Sequence, residues 1–385
     1  MPELMDAPRL SILLPTFNRY GRLLRGLTYL YGIASQPKYS KLFKSIEIII
    51  ADGTSRLTEA SPSNQRELYG EILFLIEKLN RNTYVYLSSQ PDVGFLERLS
   101  WLSAHARGNY ITLMGDEDFL IFDSIADWLD QLELRSDFSA IAGQYVNIKG
   151  FEHLGSRLKL FMEEGLVSGL TIDAEDIKSR LVQWTALGCN GIPSISYSLM
   201  RRDVFVTFGS CLDRFPRNLT YCGAESLLHF LMLGAGKVEI KDSPFIFRDF
   251  TYLDHTSVTD LNWSNERQDK ETWNESLRCL NSKYSCFLSD TELYQFGDSL
   301  RSFMDFGRPG RFKLLKTVSS CQFILGEKLR EKIDSASMRN ATLAWKSTAQ
   351  ICYKSSELQI VGAPRFFFES RFGRLVYKLL SFLRP

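Results

Sequence analysis

The stretch Asn109–Phe119, NYITLMGDEDF, constrains the fold of this chain more than any other. It joins an apolar run, Asn109 to Met114, to a glycine, Gly115, and three consecutive carboxylates. A run that is apolar on both alternating faces is typical of a strand covered by helices on both sides. Because ligands of open α/β sheets bind outside the carboxyl ends of such strands, the pattern predicts a buried strand ending in an acidic, ligand-binding turn.

The three carboxylates are Asp116, Glu117 and Asp118. Adjacent carboxylates repel one another and are hard to keep ionised without a cation or a proton. A divalent metal ion on oxygen ligands is the simplest way to compensate them. The alternative is an acidic turn that only caps the following helix, and these residues by themselves leave both interpretations open.

Composition excludes several classes of function. The chain has 385 residues with a formal net charge of +1, so we expect no nucleic-acid partner. Its 7 cysteines are odd in number and form no CxxC pair, which argues against a zinc knuckle or a secreted disulfide framework. No stretch approaches the roughly 20 apolar residues of a membrane span, and the first residues do not resemble a signal peptide. We therefore expect a cytoplasmic protein.

Apolar runs alternate with segments of helical spacing along the first third of the chain. The predicted strands are 10–14, 46–51, 83–87 and 109–114, and the predicted helices are 22–33, 66–79, 94–105 and 124–134. We expect Gly108 to cap the third helix. Strands alternating with helices predict an α/β fold with a mostly parallel, Rossmann-like sheet flanked by helices.

The later sequence is less regular. Strands are predicted at 140–148, 193–199 and 237–247, helices at 173–181, 201–208 and 224–233, and an irregular loop at 151–170. From about residue 259 to 385 we expect a separate helical region. Its last part, 365–385, combines an apolar stripe with basic residues. This pattern indicates either a peripheral helix on an anionic membrane surface, at its inner face, or a helix that packs on the domain core.

Three motifs occur in order: LSILLPTFNR (10–19), EIIIADGTS (47–55) and YITLMGDEDF (110–119). Together they resemble the nucleotide-sugar half of glycosyltransferase family 2 enzymes with the GT-A fold. The resemblance is clear over about 1–135 and weaker to about 255. It implies a GT-A domain at 1–258, with a nucleotide-sugar half at about 1–135 and an acceptor half at about 136–258.

The resemblance also implies roles for individual residues of a donor site. Pro15, Thr16 and Asn18 match the turn that holds the base and ribose of the donor, and Asp52 matches a nucleobase contact. Arg98 lies near an arginine that the family uses at the diphosphate side, although it is out of register by about one residue.

The same resemblance implies a metal site. Asp118 would ligate the metal, and Asp116 would reach the ribose or a water bound to the metal. His255 would supply a further ligand, with Asp254 as a competitor for that place. Mn²⁺ or Mg²⁺ suits oxygen ligation, whereas zinc prefers Cys or His.

A carboxylate base is the remaining requirement of this chemistry. Glu225 in CGAESLL matches the base of the family, but Ala224 stands where an adjacent acid is usual. The alternative is a carboxylate that only favours the N-terminus of a helix. Trp184, Asn190 and Tyr197 are placed by position on the acceptor side.

The resemblance implies a metal-dependent inverting glycosyltransferase that moves a sugar from a nucleotide-diphospho-sugar donor to a glycan or lipid-linked acceptor. A catalytically impaired nucleotide-sugar-binding or scaffold protein is the alternative, because Ala51 and Ala224 replace two acids of the family pattern. A nucleotidyltransferase would need a glycine-rich basic loop after the first strand, and 14–18 has no glycine. The sequence does not fix the donor base, the sugar or the oligomeric state.

Overall fold

The computed structural model describes residues 7–54, 63–89, 91, 93–150, 158–162, 170–188, 195–212, 214–215, 221–249, 270–283, 288–289 and 291–293. Its strands are β1 Leu10–Thr16, β2 Ile46–Asp52, β3 Tyr84–Ser89, β4 Tyr110–Leu113, β5 Phe119–Leu120, β6 Phe138–Gly150, β7 Leu158–Met162, β8 Leu170–Ile172, β9 Ser198–Arg201 and β10 Lys237–Asp249. Its helices are α1 Tyr20–Ala34, α2 Ser40–Phe43, α3 Ser63–Leu79, α4 Phe95–His105, α5 Ile125–Leu134, α6 Ile177–Gly188, α7 Arg202–Leu212, α8 Tyr221–Ala235 and α9 Lys270–Lys283.

The described strands form one sheet with the order β3-β2-β1-β4-β9-β6-β10-β5, while β7 pairs with β6 and β8 pairs with β10. Neighbours are parallel from β3 to β4 and between β6 and β10, whereas β9 and β5 run antiparallel to their neighbours. Most strands on this path therefore point the same way, and helices flank the sheet. The α/β fold class predicted from the sequence is confirmed.

The core of the sheet is built from the apolar runs that the sequence shows. Every residue of β2 is buried, and β1 is buried except at Pro15, which is half-buried. Leu10 of β1 lies beside Ile46 of β2 and Tyr110 of β4, which sets the register of the three strands. Strands this apolar on both faces need helices on both faces, and that requirement explains the alternation of strands and helices.

The strand order contains a switch point between β1 and β4. From β1 the chain builds outward through β2 to β3, and it then returns to place β4 on the other side of β1. Loops after β1 and β4 therefore leave the sheet in opposite directions and open a crevice at their carboxyl ends. Thr16 and the acidic turn 115–118 lie at this crevice.

Several predicted boundaries are wrong. The loop predicted at 151–170 contains β7, which pairs antiparallel with β6. The helix predicted from Asp173 begins at Ile177, where the Asp176 carboxylate accepts a hydrogen bond from the backbone N–H of Ser179 (2.9 Å). Gly108 does not cap α4, because Ala106 does. A Cβ on Gly108 would lie 2.6 Å from the backbone N of Ser11. A glycine at this position therefore lets the segment before β4 approach β1 closely.

A buried carboxylate joins the strands at their amino-terminal ends, on the side of the sheet opposite the crevice. Glu47 of β2 is fully buried. It accepts hydrogen bonds from the Ser11 hydroxyl (2.6 Å), from the backbone N–H of Arg107 (2.6 Å) and from the Arg107 Nε (2.9 Å). Three segments that are far apart in the chain therefore meet on one charged, fully hydrogen-bonded group.

Within the predicted region 259–385, the described residues include the helix α9 and a helical stretch at 291–293. The helix α9 packs against α7 and α8 and buries Leu277 and Leu280 completely. The predicted amphipathic stretch 365–385 lies outside the described residues. None of the helices in the described part of the chain is long and apolar enough to cross a membrane.

Candidate donor and transfer site

The turns after β1, β2 and β4 are joined by hydrogen bonds at the switch point. The Thr16 hydroxyl donates to Asp116 Oδ2 (2.8 Å), and the Gly53 N–H donates to the Thr16 carbonyl (2.9 Å). The Asn18 N–H donates to the Thr54 hydroxyl (2.9 Å). Asn18 has a φ of 54°, a left-handed conformation that asparagine tolerates better than most residues. The first two predicted motifs and the acidic turn thus form one site.

Asp52 organises the second turn from a buried position. Its side chain is 2% exposed and accepts a hydrogen bond from the Thr54 N–H (2.9 Å) and another from the Tyr20 hydroxyl. Burial raises the pKa of Asp52 above its usual range, while these hydrogen bonds oppose the shift. The residue predicted to contact a nucleobase is therefore also a structural part of the turn.

Arg98 of α4 reaches into the same crevice. It is 6% exposed, its Nη1 donates to the Val93 carbonyl (2.6 Å), and its guanidinium lies 5.3 Å from the centroid of the Phe17 ring. Its buried Nε has no hydrogen-bond partner in the described part of the chain. Burial lowers the pKa of Arg98, while Asp116 and Asp52 are close enough to counter that effect. This guanidinium is a cation with unused hydrogen-bonding capacity beside the turns after β1 and β2.

Arginines from α1 and the turn before it hold the acidic turn. Arg19 Nη1 lies 3.3 Å from Asp116 Oδ1 and 3.4 Å from Glu117 Oε2. Arg22 forms an ion pair with Glu117. The middle carboxylate of the turn is therefore occupied by protein cations. Asp118 differs from it in its surroundings.

Asp118 is the most deeply enclosed carboxylate of the turn, with a side chain that is 3% exposed. Its pKa is raised to about 7, first by burial and then by the charges of Glu117 and Asp116, while Arg248 opposes the shift. A Cβ on Gly115 would lie 2.7 Å from Asp118 Oδ2, so the glycine before the acidic triplet leaves room for this carboxylate.

The residues of the turn fit a hard divalent cation in their chemistry. Magnesium and manganese sites commonly use one or two carboxylates together with substrate phosphates. Asp118 has a raised pKa, which indicates a carboxylate that a cation would stabilise in its ionised form. Among the described residues, no group of three or more His, Cys, Asp or Glu side chains is arranged to hold a metal ion. His255 and Asp254 lie outside the described residues.

Glu225 lies in the second turn of α8. The helix begins at Tyr221, before the predicted start at residue 224, so Glu225 is not the N-terminal carboxylate that the alternative interpretation required. The residue is half-buried, and Ala224 beside it is buried. Its charge interacts with the guanidinium of Arg248.

Sequence reasoning missed Arg248. Its guanidinium lies 5.3 Å from the centroid of the Tyr145 ring and 5.1 Å from that of Tyr197. Burial would lower its pKa, but the electrostatic effects of Tyr197, Asp118, Tyr145 and Glu225 raise it overall. The one available signal was a lone arginine directly after the apolar run 244–247 of a predicted strand.

Two of the three residues placed on the acceptor side, Trp184 and Tyr197, are buried in the described part of the chain. Trp184 is buried and packs edge-on against His229, with 5.2 Å between ring centroids. His229 lies 3.0 Å from the Ser196 hydroxyl through its Nε2. Tyr197 packs against Arg248 rather than at an open surface. Asn190 lies outside the described residues.

No protein-family model and no curated protein matches the chain. Among solved structures, the chain is similar to S. aureus TarS 1-349 in complex with UDP-GlcNAc, with a TM-score of 0.47, 13% identity and coverage of 89% of this chain and 92% of that one. It is also similar to the UDP complex of TarS 1-349, with a TM-score of 0.45, 12% identity and coverage of 89% and 91%. A third match, to a longer S. aureus TarS chain, has a TM-score of 0.40, 13% identity and coverage of 72% of this chain and 44% of that one.

Proposed function

We propose that the chain is a metal-dependent inverting glycosyltransferase. It takes a sugar from a nucleotide-diphospho-sugar and transfers it to a glycan or lipid-linked acceptor in a single displacement. The nucleotide lies against the turns that contain Pro15, Thr16, Asn18 and Asp52.

The observation that carries this proposal is the surroundings of Arg98. Arg98 is 6% exposed at the switch-point crevice, and its buried Nε lacks a partner in the described part of the chain. A buried donor without a partner is costly unless a ligand satisfies it. An anionic group beside the base-binding turns satisfies it, and a diphosphate has suitable charge and acceptor oxygens.

The residues of this chain divide the chemistry between them. Glu225 accepts the proton of the acceptor hydroxyl as that oxygen attacks the anomeric carbon. Arg98 stabilises the negative charge that develops on the leaving diphosphate. Asp118 and Asp116 are the carboxylates that would hold Mn²⁺ or Mg²⁺. When bound, that ion supplies further stabilisation of the leaving group.

Donor binding and turnover test the proposal separately. UDP-, GDP- and dTDP-sugars, each with Mn²⁺, are screened by thermal shift, since a ligand that binds the folded state raises the melting temperature. We expect one nucleotide class to raise it. Transfer or hydrolysis of that donor should then be lost in Asp118→Ala and Glu225→Gln. If no donor binds, or both variants turn over like wild type, the proposal is wrong.

Arg98 offers a sharper test of the donor site. Arg98→Ala should raise the donor Kd about 10- to 100-fold in calorimetric titration, because hydrogen bonds to charged groups contribute roughly 1.5–3 kcal/mol. Arg202→Ala is the matched control. Arg202 Nε donates to the Ala106 carbonyl (2.6 Å), away from the donor turns, and its loss should leave the Kd unchanged. Equal effects of both variants would contradict the assignment.

A donor-binding protein without turnover is the second candidate. The replacement of an acid by Ala51 favours it, because this position is fully buried in β2 and offers no carboxylate to the crevice. Donor binding without sugar transfer or hydrolysis, in the presence of Mn²⁺, would support this function instead.

We also propose a peripheral membrane contact through 365–385. Pelleting with anionic liposomes compares the full chain with a chain that lacks these residues. Equal pelleting of the two chains would exclude the contact.

A further inference from the structure

Arg19 is the N-cap residue of α1, a position that is unfavourable for a basic side chain. Its backbone carbonyl accepts hydrogen bonds from the N–H groups of Arg22 and Leu23 (both 2.9 Å), and its side chain makes no capping hydrogen bond. N-caps are usually Ser, Thr, Asp or Asn, and the positive end of the helix dipole repels a cation. The first turn of α1 contains no acidic residue, although Arg22 lies in it. Residues that break a local rule in this way are expected at functional sites.

Arg19 contacts the oxygen of Asp116 that a cation would need. Asp116 is 4% exposed, and both of its carboxylate oxygens have protein partners. The Thr16 hydroxyl donates to Oδ2 (2.8 Å), and Arg19 Nη1 lies 3.3 Å from Oδ1. Thr16 is neutral and buried at the end of β1, so its hydrogen bond can orient the carboxylate while a cation binds the other oxygen. A divalent ion on Asp116 therefore needs the oxygen that Arg19 holds.

Arg19 is the more easily displaced of the two arginines at the acidic turn. Its Nη1 lies 3.3 Å from Asp116 and 3.4 Å from Glu117 Oε2. Both distances exceed the length of about 2.7–2.9 Å that is usual for a charge-assisted N–H···O bond. The Arg19 side chain is 28% exposed, against 12% for Arg22, and Arg22 forms its own ion pair with Glu117. Glu117 therefore keeps a partner when Arg19 moves. Partly exposed ion pairs contribute little net stability, so displacing Arg19 requires little free energy.

We propose that Arg19 is a built-in counter-ion of the acidic turn, which competes with the divalent cation for Asp116 Oδ1 and so sets the ion concentration at which the site fills. This inference rests on the proposed function for the presence of a metal site in this turn. Because the ion and the guanidinium are both positive, they repel each other at this oxygen. Arg19 therefore weakens ion binding, while it compensates the charge of Asp116 before the ion binds.

The first experiment measures ion affinity with no donor present. Binding of Mn²⁺ is followed through the electron paramagnetic resonance signal of the free ion, at constant ionic strength. Arg19→Gln should lower the Mn²⁺ Kd at least about fivefold relative to wild type, because the competitor and its repulsion are both removed. Fivefold is roughly the lower end of the usual coupling between two binding events, as expected for a partly exposed ion pair.

Arg22→Gln is the matched control, and thermal unfolding checks that both variants are folded. The control removes the same charge from the surroundings of the same turn, but the ion pair that it breaks is with Glu117. Arg19 still contacts Asp116 in this variant, so the Mn²⁺ Kd should stay within about twofold of wild type, since charges that do not touch the ion-binding oxygen are screened. Equal decreases of the Kd in both variants would reduce the effect to net charge and overturn the inference. An unchanged or higher Kd in Arg19→Gln would overturn it as well.

The second experiment observes Arg19 in the wild-type protein. Protein with isotope-labelled arginine is titrated with Mg²⁺, which is diamagnetic, and the side-chain Nε–H resonances are recorded by NMR. The Arg19 resonance is identified by its absence from the spectrum of Arg19→Lys. It should shift with the same midpoint as Mg²⁺ binding measured by calorimetry, and the Arg22 resonance should shift less. An Arg19 resonance that is unchanged at saturating Mg²⁺ would show that the ion and the guanidinium do not compete for Asp116.

The outcomes separate this inference from the proposed function. If neither wild type nor Arg19→Gln binds Mn²⁺ or Mg²⁺, the inference is wrong. Donor binding and sugar transfer in the presence of a chelator would then leave a transferase that needs no metal. If Mn²⁺ binding follows the expected pattern but no nucleotide-sugar binds, the proposed function fails and the competition at Asp116 stands.

Discussion

At the scale of single residues, burial decides the charge of Asp118. Its pKa of about 7 lies far above the value of about 3.9 that an aspartate has in an unfolded chain. The folded state therefore binds more protons between these two values. The contribution to stability is present at low pH and is lost as the pH rises from about 4 through 7. The carboxylate that serves the proposed site thus costs the fold stability at neutral pH.

Replacing Asp118 with asparagine should remove this cost. Between pH 4.5 and pH 8, in the presence of a chelator, wild type should lose roughly 3 kcal/mol of unfolding free energy relative to Asp118→Asn. Urea unfolding at several pH values measures the difference. The same pH dependence in both proteins would show that Asp118 is ionised normally in the folded state.

The pKa of His229 affects stability in the opposite direction with pH. Burial lowers its pKa to about 3, against about 6.5 in an unfolded chain, so the unfolded state binds more protons between these values. Stability should fall as the pH drops below 6.5. Stability falls with rising pH because of Asp118 and with falling pH because of His229. The two contributions therefore partly cancel in the pH dependence of the wild-type protein.

A variant comparison reveals the histidine. From pH 7 to pH 5, wild type should lose about 2 kcal/mol of unfolding free energy relative to His229→Gln. Chemical denaturation at the two pH values is sufficient. If the difference is absent, the ring is charged in the fold, and its contact with Ser196 has to be reinterpreted.

At the scale of elements, Glu47 shows how one side chain joins strands that are remote in sequence. It receives hydrogen bonds from β1 and from the segment before β4. Loss of one partner leaves the other buried groups unsatisfied, which is more costly than the bond itself.

Glu47→Ala should therefore lower the unfolding free energy by roughly 1–3 kcal/mol, the usual cost of leaving a buried hydrogen-bonding group such as the Ser11 hydroxyl without its partner. Affinity for the proposed donor should not change, because the network lies at the amino-terminal ends of the strands, opposite the turns after β1 and β2. Glu133→Ala is the control, since this half-exposed partner of Arg9 should have an effect of about 1 kcal/mol or less. Similar losses in both variants would contradict the argument.

Local pattern predicted some elements and not others. The strands β1, β2 and β4 follow from apolar runs, and the turns after them contain Thr16, Asp52 and Asp116, which the structure brings together. The strand β5 has only two residues and forms because β10 pairs with it, so no local sequence pattern predicts it. Arg248 likewise acquires its surroundings from tyrosines on other segments, which are contacts that only the folded chain defines.

At the scale of the whole molecule, α9 bears on where the chain can be divided. The helix packs against α7 and α8 through the fully buried Leu277 and Leu280. A chain that ends at residue 258, the predicted domain boundary, lacks these contacts.

Such a chain should unfold about 3–6 kcal/mol more easily than one that ends at residue 293, because burying each leucine contributes roughly 1.5–3 kcal/mol. Chemical denaturation of the two truncated chains measures this difference. Equal stabilities would establish 1–258 as the autonomous unit that the sequence predicted.

The pairing of β5 with β10 has a consequence for how this protein can change over evolution or in the laboratory. The strand that follows the acidic turn belongs to the first predicted half of the chain, yet it completes the far edge of the sheet in the second half. The two halves are therefore interlocked rather than modular. Recombination that exchanges one half for that of a relative would break the sheet at both β4–β9 and β5–β10. Point substitutions in the turns after β1 and β2 keep the sheet intact and therefore give a more accessible way to change the specificity of the proposed donor site.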